Sequence, residues 1–157
     1  MRYRILHLFV FWAIAVGATH AQLRASTEAL SVGIPSASLI QPADLVKLLA
    51  KKSPDKVPVV IQVGSHLFFV QAHITGSQYA GPGSQAAGLE LLEKAVAPLP
   101  KDKFIVIYCG CCPWMRCPNV GPAFQRLREL GYTRVKVLYI ANDFGEDWVS
   151  KGYPTEK

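Results

Sequence analysis

All four cysteines of the chain, Cys109, Cys111, Cys112 and Cys117, fall within nine consecutive residues. Thiols packed this densely can act as a nucleophile, carry sulfur as a persulfide, form disulfides or hold a soft metal ion. A β-branched run, Phe104 to Tyr108, ends directly in Cys109; Gly110 and Pro113 then force a loop, and helical spacing resumes from Val120 to Leu130. A thiol at such a strand-to-helix turn faces loop amides and the start of a helix, which stabilise a thiolate and can hold an outer sulfur. Cys109 is therefore the expected nucleophile. Between Asp102 and Glu129 there is no acidic residue, while Lys103, Arg116, Arg126 and Arg128 lie in that interval. An electropositive setting lowers a thiol pKa and attracts anions, so Arg116, inside the loop, is the expected anion-binding residue. Trp114, the aromatic of the loop, is expected to wall the pocket.

The other three thiols admit several roles. Four cysteines allow three complete pairings, but every closed ring would be short, so a fold-stapling framework is unlike this spacing. Cys111, Cys112 and Cys117 read better as resolving thiols that attack an oxidised or sulfur-loaded nucleophile, leaving a disulfide for a thiol reductant protein to reduce. Cys109-Gly-Cys-Cys112 is also a Cys-x-x-Cys motif resembling that of thioredoxin, which makes a thiol–disulfide oxidoreductase the main alternative. A non-catalytic or metal-binding module, for Cu(I) above all, is the further alternative. Adjacent Cys111 and Cys112 suit a tetrahedral zinc cage poorly, and His66 and His73 are remote in sequence, so neither a metal nor another cofactor is expected.

These residues need a scaffold, and the chain supplies one domain. Its 157 residues, half of them apolar, suffice for a single core. Residues 1–21 have the pattern of a signal peptide: Arg2 and Arg4, an apolar stretch from Ile5 to Ala18, and small residues at Ala18 and Ala21. The stretch is shorter than the roughly 20 apolar residues of a membrane span, so export to the periplasm or the medium is expected, with no membrane attachment after cleavage. Cleavage removes two arginines and no acid, lowering the formal charge from +6 to +4. No basic stripe with interleaved aromatics marks a nucleic-acid surface. Residues 22–36 read as a flexible lead and 37–157 as the domain. Within it, a helix is expected over 42–52, a buried strand over 57–63, a helix over 85–97, strands over 104–108 and 135–140, and a helix over 120–130. Alternating strands and helices imply a parallel α/β sheet. The apolar run His66-Leu-Phe-Phe-Val70 is read as a helix packed on the core.

Three ordered motifs resemble the rhodanese-like sulfurtransferases. Gln62-Val-Gly-Ser-His-Leu-Phe-Phe-Val-Gln-Ala-His73-Ile-Thr-Gly-Ser77 is similar to the family's Asp-Val-Arg, short helix and Gly-His-Ile-Pro-Gly-Ala. Ile107-Tyr108-Cys109 ends where the family places its nucleophile, and Trp148-Val-Ser-Lys-Gly-Tyr-Pro154 is similar to its Trp-x-x-x-Gly-Tyr-Pro ending. The resemblance implies a five-stranded, mostly parallel sheet flanked by helices, with short strands near 37–40 and 77–80 completing it. It also implies a reaction in which the thiolate takes a sulfane sulfur from a small sulfur anion or thiol substrate, holds it as a persulfide and passes it to a thiophilic acceptor. Two departures stand out. Gln62 and Gly64 replace the family's Asp and Arg, and the loop is about five residues longer than in a simple rhodanese; Arg116 stands seven positions after Cys109 but five after Cys111, so by counting Cys111 could be the nucleophile, while Cys109 is the one that directly ends the strand. His73 is expected to position the segment around residues 72–77 rather than act as a base.

Overall fold

A computed structural model of the chain describes residues 33–157. The signal-peptide expectation and most of the flexible lead lie outside the described residues. The strands are β1 (Leu39–Ile40), β2 (Val59–Gln62), β3 (His73–Ile74), β4 (Gln78–Tyr79), β5 (Ile105–Tyr108), β6 (Val135–Leu138) and β7 (Thr155–Glu156). The helices are α1 (Pro42–Leu49), α2 (His66–Gln71), α3 (Ala86–Val96), α4 (Val120–Glu129) and α5 (Phe144–Asp147). Five strands form one sheet in the order β1-β6-β5-β2-β4, every neighbouring pair parallel, and β3 pairs antiparallel with β7 beside it. This is the expected α/β architecture, with β5 at its centre. No helix among the described residues is long and apolar enough to cross a membrane.

The period of two along β5 decides where the thiol points. Ile105, Ile107 and Cys109 pack with Leu92 and Val96 of α3 and with Ala123, Phe124 and Leu127 of α4. Val106 and Tyr108 face the opposite layer, with Leu45 of α1, Phe144 of α5 and Trp148. All four residues of β5 are buried, as its unbroken β-branched run requires of a strand covered on both faces. Cys109 is thus fixed between the sheet and the first turn of α4.

Two details differ from the sequence reading. Ile34, within the stretch read as a flexible lead, is 1% exposed and packs in the core layer of α3 and α4. Helix α2 has no buried residue: Leu67 is 60%, Phe68 44% and Val70 47% exposed. Six residues make fewer than two turns, and the helix is held mainly through Phe69, whose ring stacks on His73 at 3.8 Å. His73 is buried, with Nδ1 2.9 Å from the Phe69 carbonyl and Nε2 3.2 Å from Glu156. It ties α2 to the β3–β7 pair, away from the cysteines, in keeping with a positioning role. Trp148, fully buried, donates from Nε1 to the Pro154 carbonyl at 3.0 Å and locks the C-terminal segment.

Candidate active site

Cys109 follows β5 directly, and the turn after it depends on a glycine. Gly110 has φ +75°, and a Cβ there would lie 2.8 Å from Cβ of Phe144. The left-handed conformation and the close approach of α5 both select Gly at this position. On the other side Gly64, the residue in place of the family's Arg, passes so close that a Cβ would meet the Cys109 carbonyl, the Cys109 sulfur and the Gln62 amide, each at 3.0 Å. Gln62 is 2% exposed; its Nε2 donates to the Cys109 carbonyl at 3.3 Å and its Oε1 accepts from Gly64 N–H at 3.2 Å. A neutral amide therefore performs the bracing that an ion pair would otherwise supply.

The loop brings all four sulfurs together as free thiols. Cys109 Sγ is 3.0 Å from Cys111 Sγ, which is 3.3 Å from Cys112 Sγ. The sulfurs of Cys109, Cys112 and Cys117 lie within 4.8 Å of one another. That spacing would admit a soft metal ion between thiolates, though no histidine or carboxylate joins the group. Asn119 Nδ2 donates to Cys109 Sγ at 3.2 Å, while its Oδ1 accepts from the backbone N–H and hydroxyl of Ser84 at 3.1 and 2.8 Å.

Helix amides reach the cluster, but they are divided among its members. Cys117 is held far below the ordinary thiol range, first because Cys109 and Cys111 donate to it, then because the backbone N–H groups of Asn119 and Val120 at the start of α4 point at it. Cys109 is eased down by its contact with Cys111, 3.0 Å away, and by the Cys111 amide, yet its contact with Cys117 and its burial push its thiol up. Cys111 is raised by its contacts with Cys109 and Cys117, and Cys112 is raised by burial. Of the four sulfurs, Cys117 is the one whose surroundings most favour negative charge, and Cys109 lies within 4.8 Å of it. The amides expected around the strand-end thiol thus serve mainly the thiol eight residues later.

Two cavities meet at Cys109. The front one, about 350 Å3, is lined by Cys109, Cys111, Tyr108, Gln62, Asp143 and Phe144, with Phe68 and Val149 also on its wall. The rear one is a crevice of about 10 Å3 among Cys109, Cys112, Cys117, Trp114, Val120 and Leu138. Cys109 and Gly110 are shared and form the partition. Trp114, expected to wall the pocket, is 3% exposed and lines the rear crevice only. Arg116, expected to bind anions, is exposed and lines neither cavity. The reason is local: the 3-10 turn Trp114–Arg116 buries its first residue and turns the next two outward. The front cavity has no Lys or Arg on its wall, and Asp143 is its one charged residue.

Sequence reasoning singled out the cysteines and missed Asn119, Asp143 and the bracing role of Gln62. Asn119 did carry a signal, since Asn just before a helical run reads as an N-cap. It makes no side-chain cap bond here and turns instead to sulfur and Ser84. Asp143 is itself a helix cap, accepting from Glu146 N–H at 2.8 Å, and only the return of the chain after β6 brings it to the cavity.

The fold has relatives among solved structures. The crystal structure of the Alr3790 protein from Anabaena sp. superposes with a TM-score of 0.57 at 21% identity, covering 74% of this chain and 81% of that one. The solution NMR structure of the Rhodanese-like domain from the Anabaena sp. Alr3790 protein has a TM-score of 0.54 at 21% identity, covering 76% and 78%. At that identity the likeness shows the fold alone. No curated protein matches the chain. The family model of the Rhodanese-like domain matches residues 41–140, from the start of α1 to just beyond β6 and including the whole cysteine loop, and the chain belongs to the Rhodanese-like domain family.

Proposed function

We propose that the protein is a sulfurtransferase that carries a sulfane sulfur as a persulfide on Cys109. The observation that supports this reading best is the placement of the Cys109 sulfur: it ends the central strand, borders the front cavity, and accepts a hydrogen bond from a buried side-chain amide. Cys117, whose sulfur lies within 4.8 Å of Cys109 Sγ and faces the amides at the start of α4, serves as the base. As Cys109 attacks the outer sulfur of a donor R–S–SH, Cys117 takes the proton, the S–S bond of the donor breaks, and the departing thiolate R–S⁻ recovers the proton as R–SH. Asn119 Nδ2 supports the negative charge on the attacking sulfur, and the amides at the start of α4 support the thiolate beforehand.

The wall of the front cavity refines the donor class. With Asp143 and no cation on it, the cavity favours an organic persulfide over a dianion such as thiosulfate. Phe68 and Val149 supply apolar surface for the organic portion. Export, read from residues 1–21, belongs to the same proposal. The test is to incubate reduced protein with an organic persulfide and measure intact mass. One added sulfur, removable by cyanide and absent from Cys109→Ser, is expected. No addition to the wild type, or equal addition to the variant, refutes the assignment. Rapid reduction of insulin without any sulfur adduct would favour a thiol–disulfide oxidoreductase using Cys109 and Cys112 instead.

A further inference from the structure

The loop holds three more thiols than persulfide transfer requires, and they are not equivalent. Cys111 lines the front cavity beside Cys109, where the donor enters and departs. Cys112 and Cys117 lie behind the Cys109–Gly110 partition, in the rear crevice. Of these two, Cys117 alone has the backbone N–H groups at the start of the ten-residue helix α4 directed at it, whereas Cys112 points toward the Arg116 carbonyl, an acceptor, at 3.7 Å. Thiol–disulfide exchange requires the attacking sulfur, the attacked sulfur and the leaving sulfur to be accessible together. A sulfur arriving from the front leaves its outer atom in the front cavity, and an attack from the rear expels it back into the open space.

We propose that Cys117 is a resolving thiol that turns the loaded domain into a persulfide reductase, releasing hydrosulfide. The inference rests on the persulfide reading given above. Cys117–S⁻ attacks the inner sulfur of Cys109–S–SH; a Cys109–Cys117 bond forms, the S–SH bond breaks, and HS⁻ leaves. Charge and atoms balance. The sulfane sulfur gains two electrons and becomes sulfide, and the two cysteines supply them in becoming a disulfide. The sulfurs, already within 4.8 Å, close to the roughly 2.05 Å of an S–S bond. An external dithiol then reduces the bridge by exchange, being oxidised to its own disulfide, and returns the loop to its starting state. Asn119 spans the step, since its amide donates to the sulfur under attack while its backbone N–H faces the attacker.

A single-turnover experiment decides the matter. Fully reduced full-length protein is mixed with one equivalent of an organic persulfide, freed of small thiols, and followed for sulfide release, intact mass and disulfide-linked peptides. About one sulfide per chain and a Cys109–Cys117 crosslink are expected in the wild type, which needs no mutation. Cys117→Ser is expected to accumulate the Cys109 persulfide and to slow sulfide release at least about tenfold, while Cys111→Ser and Cys112→Ser are each still expected to form the Cys109–Cys117 crosslink and release sulfide. A crosslink to Cys111 or Cys112, or unchanged release from Cys117→Ser, overturns the assignment of Cys117. A stable persulfide on the wild type with no sulfide released overturns the reductase while leaving sulfur transfer standing. Absence of added sulfur on both proteins overturns the persulfide reading and this inference together.

Discussion

Asn119 offers the sharpest probe of the site, because one side chain joins the reactive sulfur to a distant loop through opposite ends of its amide. It is 5% exposed; Nδ2 donates to Cys109 Sγ at 3.2 Å and Oδ1 accepts twice from Ser84. Asn119→Ala removes these three bonds and a longer one, 3.9 Å, from Nδ2 to Cys111 Sγ. Ser84 is exposed and can turn to water, so the stability loss should stay near 1–2 kcal/mol, the net worth of the interaction that cannot be rewetted plus a small void. The kinetic effect should be larger. A hydrogen bond to a charged partner is worth about 1.5–3 kcal/mol, and it is lost where Cys109 sulfur carries its charge, so persulfide loading should slow by about ten- to a hundredfold.

Asn119→Asp separates the two ends of the amide. An aspartate keeps an acceptor for Ser84 but presents a second acceptor, and a negative charge, to the sulfur. Stability near wild type with loading at least as slow as in the alanine variant is expected. The assay is stopped-flow mixing with an organic persulfide, read by intact mass, alongside urea unfolding of each variant. Loading within about twofold of wild type in both folded variants would refute the argument that the amide supports charge on Cys109. A large stability loss in Asn119→Asp would refute the claim that Ser84 reads only the acceptor.

Further perturbations test the surrounding structure. Gln62→Leu leaves the buried Cys109 carbonyl and Gly64 N–H without partners, and a loss of about 2–4 kcal/mol in urea unfolding is expected, with slower loading as the strand end loosens. Gly110→Ala places a Cβ 2.8 Å from Phe144 at a φ of +75°; strain of about 1–2 kcal/mol and loss of sulfur loading on Cys109 should appear together in calorimetry and intact mass. Asp143→Asn removes the one charge on the front cavity's wall yet can still cap α5, so kcat/KM for thiosulfate should rise about three- to tenfold with Tm and organic-persulfide kinetics nearly unchanged. Tyr108 is pushed up to about 12 by burial, so the unfolded state loses its phenolic proton first. Its stabilising effect is complete below pH 10 and declines as pH rises toward 12 by up to about 1.4 kcal/mol per unit, a slope that Tyr108→Phe should lack in urea unfolding at alkaline pH.

The architecture was readable because its signals are local. The β-branched runs of β2, β5 and β6 and the leucine spacing of α3 each specify an element, and their alternation specifies a parallel sheet. Even the two-residue strands β1 and β4 lie where the order of motifs places them. Helix α2 was misjudged because apolar composition alone does not say which residues turn inward, and in six residues only one side, that of Phe69, finds partners. The site was legible in its atoms but not in their division. That Cys109 ends a central strand follows from the run before it; that the α4 amides face Cys117 depends on how a seven-residue loop folds back. Arg116 shows the same limit: it lies near the thiols in sequence, yet it is exposed and lines neither cavity at Cys109.

The enlarged loop changes the kind of site this fold presents. A single strand-end thiol in a cradle of loop amides would be an open nucleophile, charged at rest and ready for any donor. Here the extra residues place a second sulfur between those amides and Cys109, so the surroundings favour negative charge on Cys117, behind the partition, over the substrate-facing Cys109. Such a thiol is protected from indiscriminate oxidation, because the thiolate is the reactive form. On the persulfide reading proposed above, it would become reactive when a donor sulfur reaches the front cavity and the proton passes to Cys117. The same displacement that shields Cys109 places a thiolate directly behind it. On that reading, shielding before loading and resolution after it would both follow from one structural feature, the enlarged loop that carries Cys117 to the start of α4.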